Sequence, residues 1–191
     1  RTWLWAIVAQ AAVGNVAVMG GFVVLGPVIA KRELGGAAPW GAIFAAQSAG
    51  LVLGGLVALR IRPRRQLLVG TAALALMSPA LALLALGSMA VVVAAGALLA
   101  GVGVELFSVF WDTSLQQHIP LEVLSRVSSY DALGSWVAIP IGLSIVGPVS
   151  DAIGVSETLW IAVAVQLSSL LAVLAVREVR ELRRLDVSAP A

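Results

Sequence analysis

Apolar and polar positions alternate along the chain in long blocks: six greasy runs separated by short polar punctuation. A bilayer-spanning helix takes about 20 mostly apolar residues. Six segments meet that length: Trp3 to Ala30, Pro39 to Leu59, Leu67 to Leu86, Met89 to Phe110, Ser125 to Gly147 and Thr158 to Val176. Between them lie "KRELGGAAP", "RIRPRRQ", "GS", "WDTSLQQHIPLEVL" and "SDAIGVSE", rich in the Gly, Pro, Ser and charged residues that end helices. The pattern predicts an all-α membrane protein of six transmembrane helices, followed by a cytoplasmic tail over residues 177–191.

The polar residues inside the runs carry a second pattern. Asn15 and Gln47 fall in the first two segments, Glu105 and Asp131 in the fourth and fifth, and the third and sixth hold fewer such groups. Two triplets with matching polar distribution are what inverted three-helix repeats leave in a transporter half. Residues at i, i+3, i+4 and i+7 share a helix face. One such face is Gly101, Glu105, Ser108 and Asp112; others are Ser128, Asp131, Ser135 with Gly142, and Gln47 with Gly50 and Gly54. Small residues at these spacings let helices approach closely. The stripes therefore serve either as packing seams or as the walls of a polar cavity.

Composition sharpens the class. Of 191 residues, 60% are apolar and 12% charged, against about 25% charged in soluble domains. Cysteine is absent, which excludes disulfides, thiol catalysis and Cys-based metal sites, and no cofactor is expected. Position 1 is Arg, and the first run is too long and Gly-rich for a cleavable signal peptide; the chain is expected to be a piece of a larger protein. Eleven of its twelve basic residues are Arg, and Ala and Gly are abundant, as in GC-rich bacterial genomes.

Charge placement sets orientation, because Lys and Arg of short loops stay in the cytoplasm. With both termini inside, Arg1, Arg60, Arg62, Arg64, Arg65, Arg126, Arg177, Arg180, Arg183 and Arg184 are cytoplasmic, and only Lys31 and Arg32 are outside. The tail "REVRELRRLD" reads as a solvated, mixed-charge helix end. Pro27, Pro79, Pro140 and Pro148 each remove a helical hydrogen bond and are expected to bend their segments.

The stretch "LQQHIPLEVLSRVSSYDALGSWVAIPIGLSIVGPVSDAIG" resembles the cytoplasmic loop and penultimate helix of bacterial major facilitator superfamily exporters, in the drug and siderophore efflux branch of enterobactin exporter-like proteins. The matching residues are Leu115 and Gln116, Pro120, Arg126 to Ser128, Pro140 to Gly142, and Gly147 with Pro148. "GGLVALRIRPRRQ", with Gly54, Gly55, Arg60, Arg64 and Arg65, looks like the degenerate second copy of that family's Gly- and Arg-rich loop motif. Ser125 stands where a Gly often precedes the Arg.

The resemblance implies the C-terminal half of a twelve-helix fold, with an N-terminal six-helix half missing from this sequence. It further implies that the first, second, fourth and fifth helices face a central cavity, in agreement with the polar pattern. On that basis Asn15, Gln47 and Glu105 face a small hydrophobic substrate, with Phe22, Phe44 and Trp136 as candidate aromatic contacts, although a core or lipid-facing role is the more common one for such residues. The expected activity is secondary efflux by alternating access in the bacterial inner membrane.

Glu105 precedes Phe110 by five residues, which places it about 8 Å inside the cytoplasmic face. Asp131 lies at a similar depth beyond Ser125. With Asp112, Glu122 and the cation Arg126 they are expected to form a charge network closing the inward mouth. Alternatively, Glu105 or Asp131 carries protons, since a carboxyl withdrawn from water binds a proton more readily.

Other classes fare worse. The lone His118 falls in a predicted loop and no HExxH spacing exists, so no enzyme is expected. "RIRPRR" is accounted for by membrane orientation, so no nucleic-acid partner is expected. A non-transporting scaffold, or a truncated half that pairs with another half, is the remaining alternative.

Overall fold

The computed structural model describes residues 2–185, with the side chains of residues 131, 135 and 136 outside that description. All regular structure among these residues is helical. Six helices are long and apolar enough to cross a membrane: α1 (Thr2–Glu33), α2 (Ala37–Arg60), α3 (Gln66–Ala85), α4 (Ala90–His118), α5 (Leu121–Ile153) and α6 (Val155–Ala175). A short α7 (Arg177–Glu181) follows. This is the build of a multi-pass membrane protein.

Four of the five connections are shorter than the sequence predicts, and the one between α3 and α4 is longer, residues 86–89 in place of "GS". The expected break at "WDTSLQQHIPLEVL" is helical on both sides of Ile119 and Pro120. Trp111 and Leu115, one turn apart, are buried with Trp3, Ile7 and Leu67, so the polar residues between them ride on an amphipathic helix. Ser114 Oγ donates to the Phe110 carbonyl, and Thr113 Oγ1 to that of Val109. Both hydroxyls are thereby satisfied within the helix. The helix stops at Ile119, extended at φ −110°, ψ 128°, as steric conflict with a following proline demands. His118 closes the last turn of α4, not a loop, with Nδ1 3.0 Å from the Ser114 carbonyl.

Prolines act unequally. A widened π turn over Gly20–Leu25 precedes Pro27, and a tightened 3₁₀ turn over Leu74–Met77 precedes Pro79. In both cases the missing N–H is absorbed by a change of pitch upstream. Pro140 and Pro148 remain inside an uninterrupted α5. The turn into α2 needs glycine, because Gly35 and Gly36 take φ of 93° and 106°, and Gly36 N–H donates to the Ala30 carbonyl at 2.8 Å. The single residue between α5 and α6, Gly154, also has positive φ, 102°.

In lipid the helices gain little by hiding apolar surface from one another, so close packing holds the bundle. α2 lies along α4 and α5 along α1; α3 touches α4 and α6, and α6 touches α1. Glycine makes both long seams. A side-chain carbon on Gly50 would strike the Leu98 carbonyl, and one on Gly101 the Gln47 carbonyl. At the other seam a carbon on Gly20 would lie 2.9 Å from the Gly142 carbonyl. The main core, with Phe22, Leu81, Val93 and Leu159, fills the space between α1, α3, α4 and α6. Leu59, Val91 and Leu171 point outward and are exposed, a surface suited to acyl chains.

Candidate functional site: a polar cleft between α1, α4 and α6

Between α1, α3, α4 and α6 lies a cleft of about 590 Å³. From α1 it takes Gln10, Gly14, Asn15 and Met19; from α3, Leu74 and Met77; from α4, Phe107, Ser108, Trp111 and Asp112; from α6, Gln166. Gln10 and Gln166 are 5% and 1% exposed, and the Oε1 atom of each has no hydrogen-bond partner among the described residues. An unsatisfied buried acceptor costs about 1 to 3 kcal/mol. The cleft brings two such acceptors together, while Gln66 Oε1, Thr71 Oγ1 and Ser78 Oγ are buried without partners among the described residues elsewhere in the bundle.

The local sequence builds this arrangement. Gly14 lies one turn after Gln10, and a Cβ there would sit 2.6 Å from Gln166 Oε1 and 3.2 Å from Gln10 Nε2. Glycine thus opens the space in which two amides from helices distant in sequence meet. Gln166 Nε2 reaches the Leu74 carbonyl, at 3.4 Å, in the 3₁₀ turn. The pitch change in α3 and the start of the π turn beyond Met19 therefore border the cleft. On α4, Ser108 and Asp112 are one turn apart, and the Phe107 and Trp111 rings stack at 6.1 Å with 12° between planes. Amide oxygens, a carboxylate and aromatic faces together suit an amphipathic ligand that carries hydrogen-bond donors or a positive charge.

The sequence-derived residues are distributed over several places. Asn15 and Asp112 line the cleft. Glu105 does not share it: its Cβ lies 2.8 Å from where a Gly54 side chain would start, and its Oε1 3.7 Å from the same point on Gly55. Gln47, through its backbone, and Gly54 belong to the same α2–α4 seam. The stripe read as one face therefore splits, Gly101 and Glu105 toward α2, Ser108 and Asp112 toward α1.

Glu105 stands thirteen residues before the end of α4, about 20 Å along its axis. Measured on α2, its neighbour Gly54 is six residues from the terminal Arg60, about 9 Å. α4 overshoots α2 by some two turns.

Phe22 and Phe44 form an aromatic cluster with Trp40, with centroids 5.0 to 5.5 Å apart. Phe22 is buried in the core and Phe44 is 38% exposed, so this cluster joins α1 to α2 away from the cleft. Arg126 is exposed on α5 and makes no ion pair with a described residue. Asp131 and Trp136 lie within α5 by backbone, but their side chains are outside the described residues. Asp131 is a member of the expected gate network, so that network extends outside the described side chains. Arg64 and Arg65 lie in the α2–α3 turn, beside a second cavity. Gln10, with Gly14 one turn on, has the same small-polar spacing as the stripes on α2 and α4, although it is not among the sequence-derived candidates.

The cysteine-free chain permits a direct check of cleft hydration. In Ser108→Cys a water-soluble maleimide should label rapidly. Thr71→Cys, at a fully buried site, and Leu171→Cys, at one 70% exposed toward lipid, should stay unlabelled. Equal labelling at Ser108 and Leu171 would mean that the cleft is closed to water.

No family model matches the chain, and no curated protein matches it.

Proposed function

We propose that the chain is one half of a secondary active transporter of the major facilitator type, which exports a small hydrophobic drug-like or siderophore molecule by proton-coupled alternating access. The observation that carries this reading is the cleft: a recess between the helices that brings together Asn15, Asp112 and two buried amide oxygens without partners among the described residues. Midplane sites of transporters are built from such recesses beside interrupted helices.

The packing scheme adds support. Exchanging the first three helices for the last three turns the α2–α4 seam into the α5–α1 seam, and the α3–α4 contact into the α6–α1 contact. Glycine crossings occur at both seams. That is the relation expected of inverted three-helix repeats. An N-terminal six-helix half would then supply the opposite wall. α2 and α5 offer it most surface, since only 22% and 19% of their apolar windows are buried, against 50% in α3. In this reading the protein sits in a bacterial inner membrane with both ends of the segment cytoplasmic. In this reading the proton-coupling acid is Glu105 or Asp131, with the cleft-lining Asp112 as a further candidate.

The test is transport. The complete protein, reconstituted in vesicles, should move members of a panel of hydrophobic drugs and siderophores when a proton gradient is imposed, and stop when it is collapsed. Vesicles in which no compound moves with the gradient on or off would favour the scaffold alternative.

A further inference from the structure

Five arginines from two distant parts of the chain surround one cavity. Arg62, Arg64 and Arg65 come from the α2–α3 turn, and Arg183 and Arg184 from the segment after α7; the half-open volume between them is about 720 Å³. Among the described residues the lining is arginine throughout. We propose that this cavity binds a phosphate-bearing anion.

Membrane orientation requires cations on one side of the bilayer, but it does not require them to converge. Convergence here is built. Arg184 N–H donates to the Arg64 carbonyl at 3.0 Å, and Leu185 N–H to Gln117 Oε1 at 3.1 Å. The returning segment is anchored by Val179, fully buried against the cluster of Trp3, Leu67 and Trp111. Glu178 Oε2 accepts from Trp3 N–H at 3.0 Å, and Glu181 pairs with Arg177 at 2.9 Å. Both acids of α7 are thus engaged elsewhere.

A tail held in this way brings like charges together, and their repulsion is unfavourable without a counter-anion. Moreover, Arg184 Nε is buried and has no hydrogen-bond partner among the described residues. Guanidinium groups present planar forks of donors that match phosphate oxygens two at a time. Five of them around a concave space form a receptor for a phosphate group, whether on an anionic lipid headgroup or free in solution. Exposed surface charges would be screened beyond about 8 Å at physiological salt, whereas a phosphate held within the cavity makes direct bonds.

The experiment uses the purified full chain in neutral detergent. Its melting temperature is followed on adding inorganic phosphate, pyrophosphate, or phosphatidylglycerol against phosphatidylcholine, all with chloride at matched ionic strength. The cavity should yield a rise of at least about 3 °C with one of the phosphate probes. A rise with inorganic phosphate or pyrophosphate identifies a soluble ligand; a rise with phosphatidylglycerol alone identifies a lipid headgroup.

The variant Arg62→Gln/Arg64→Gln/Arg65→Gln should abolish the rise. Its three side chains are exposed and the Arg64 carbonyl is retained, so folding is preserved. A charge-matched control, Arg60→Gln/Arg126→Gln/Arg180→Gln, should keep the rise. No rise with any probe, or an equal loss in both triple variants, overturns the proposal.

Discussion

Gly101→Leu should separate α2 from α4 and lower the melting temperature of the purified protein by about 5 °C or more, with a matching loss of monodisperse yield. At Gly101 the two backbones are in contact: a new Cβ would meet the Gln47 carbonyl and come within 2.8 Å of Leu51 N. Those are backbone atoms of a facing helix and cannot rotate away. Relief requires the helices to part, and the close packing around Gly50 and Gly54 is lost with it. Overpacking of this kind costs about 1 to 3 kcal/mol or more, a large share of the stability of most folds.

The contrast is Gly41→Ala, on the same α2, where an added carbon meets nothing within 4 Å. That change should be neutral or stabilising by up to about 1 kcal/mol, the helix-propensity difference. Thermal unfolding of both variants beside the parent gives the comparison. A Gly101→Leu protein as stable as Gly41→Ala would mean that the helices do not cross there.

Gln166→Leu should keep or raise stability while cutting transport by about tenfold or more. The side chain is 1% exposed. Its amide makes one long bond, to the Leu74 carbonyl at 3.4 Å, and its oxygen has no partner among the described residues. Leucine, of similar size, removes the orphan acceptor, relieving a penalty of about 1 to 3 kcal/mol. A residue kept for packing would lose nothing by the exchange. One kept for a ligand should lose its transport contribution, in the direction opposite to its effect on stability. Melting temperature and initial transport rate, measured on the same preparation, separate the two. Unchanged transport in a stabilised variant would assign Gln166 to packing alone.

The helices were legible because bilayer thickness imposes a length and a composition that a single sequence displays directly. Their ends were less so. Trp111 and Leu115 read as part of a polar loop because their partners, Trp3, Ile7 and Leu67, lie far away in the chain. Residue type alone gives no sign of which face will be covered. The glycine stripe on α2 was visible as spacing, but spacing does not say which partner it meets; only the pairing of Gly50 with α4 turns Glu105 from a cavity residue into a seam residue.

The cleft escaped for the same reason. Gln10 and Gln166 are separated by most of the chain, and each alone is an ordinary polar interruption of an apolar run. Their meeting depends on α6 packing beside α1, with Gly14 leaving the space. The tail shows a further limit: "REVRELRRLD" has the composition of a solvated helix end, and Arg177 and Glu181 do pair on the surface. Yet Val179 is fully buried and Arg184 is tied to Arg64, so the segment is docked through residue 185, and residues 186–191 fall outside the description.

If the chain is half of a transporter, the transported molecule occupies the cleft between α1, α3, α4 and α6. Substrate protection of a single cysteine tests it most directly. With the complete protein in vesicles, the rate at which a water-soluble maleimide labels Ser108→Cys is measured with and without a saturating transported compound. Labelling of Arg62→Cys, exposed at the α2–α3 turn, serves as the reference. The compound should slow labelling at Ser108→Cys at least about fivefold and leave the reference unchanged. An unaltered rate at Ser108→Cys in vesicles that demonstrably transport the compound would contradict it.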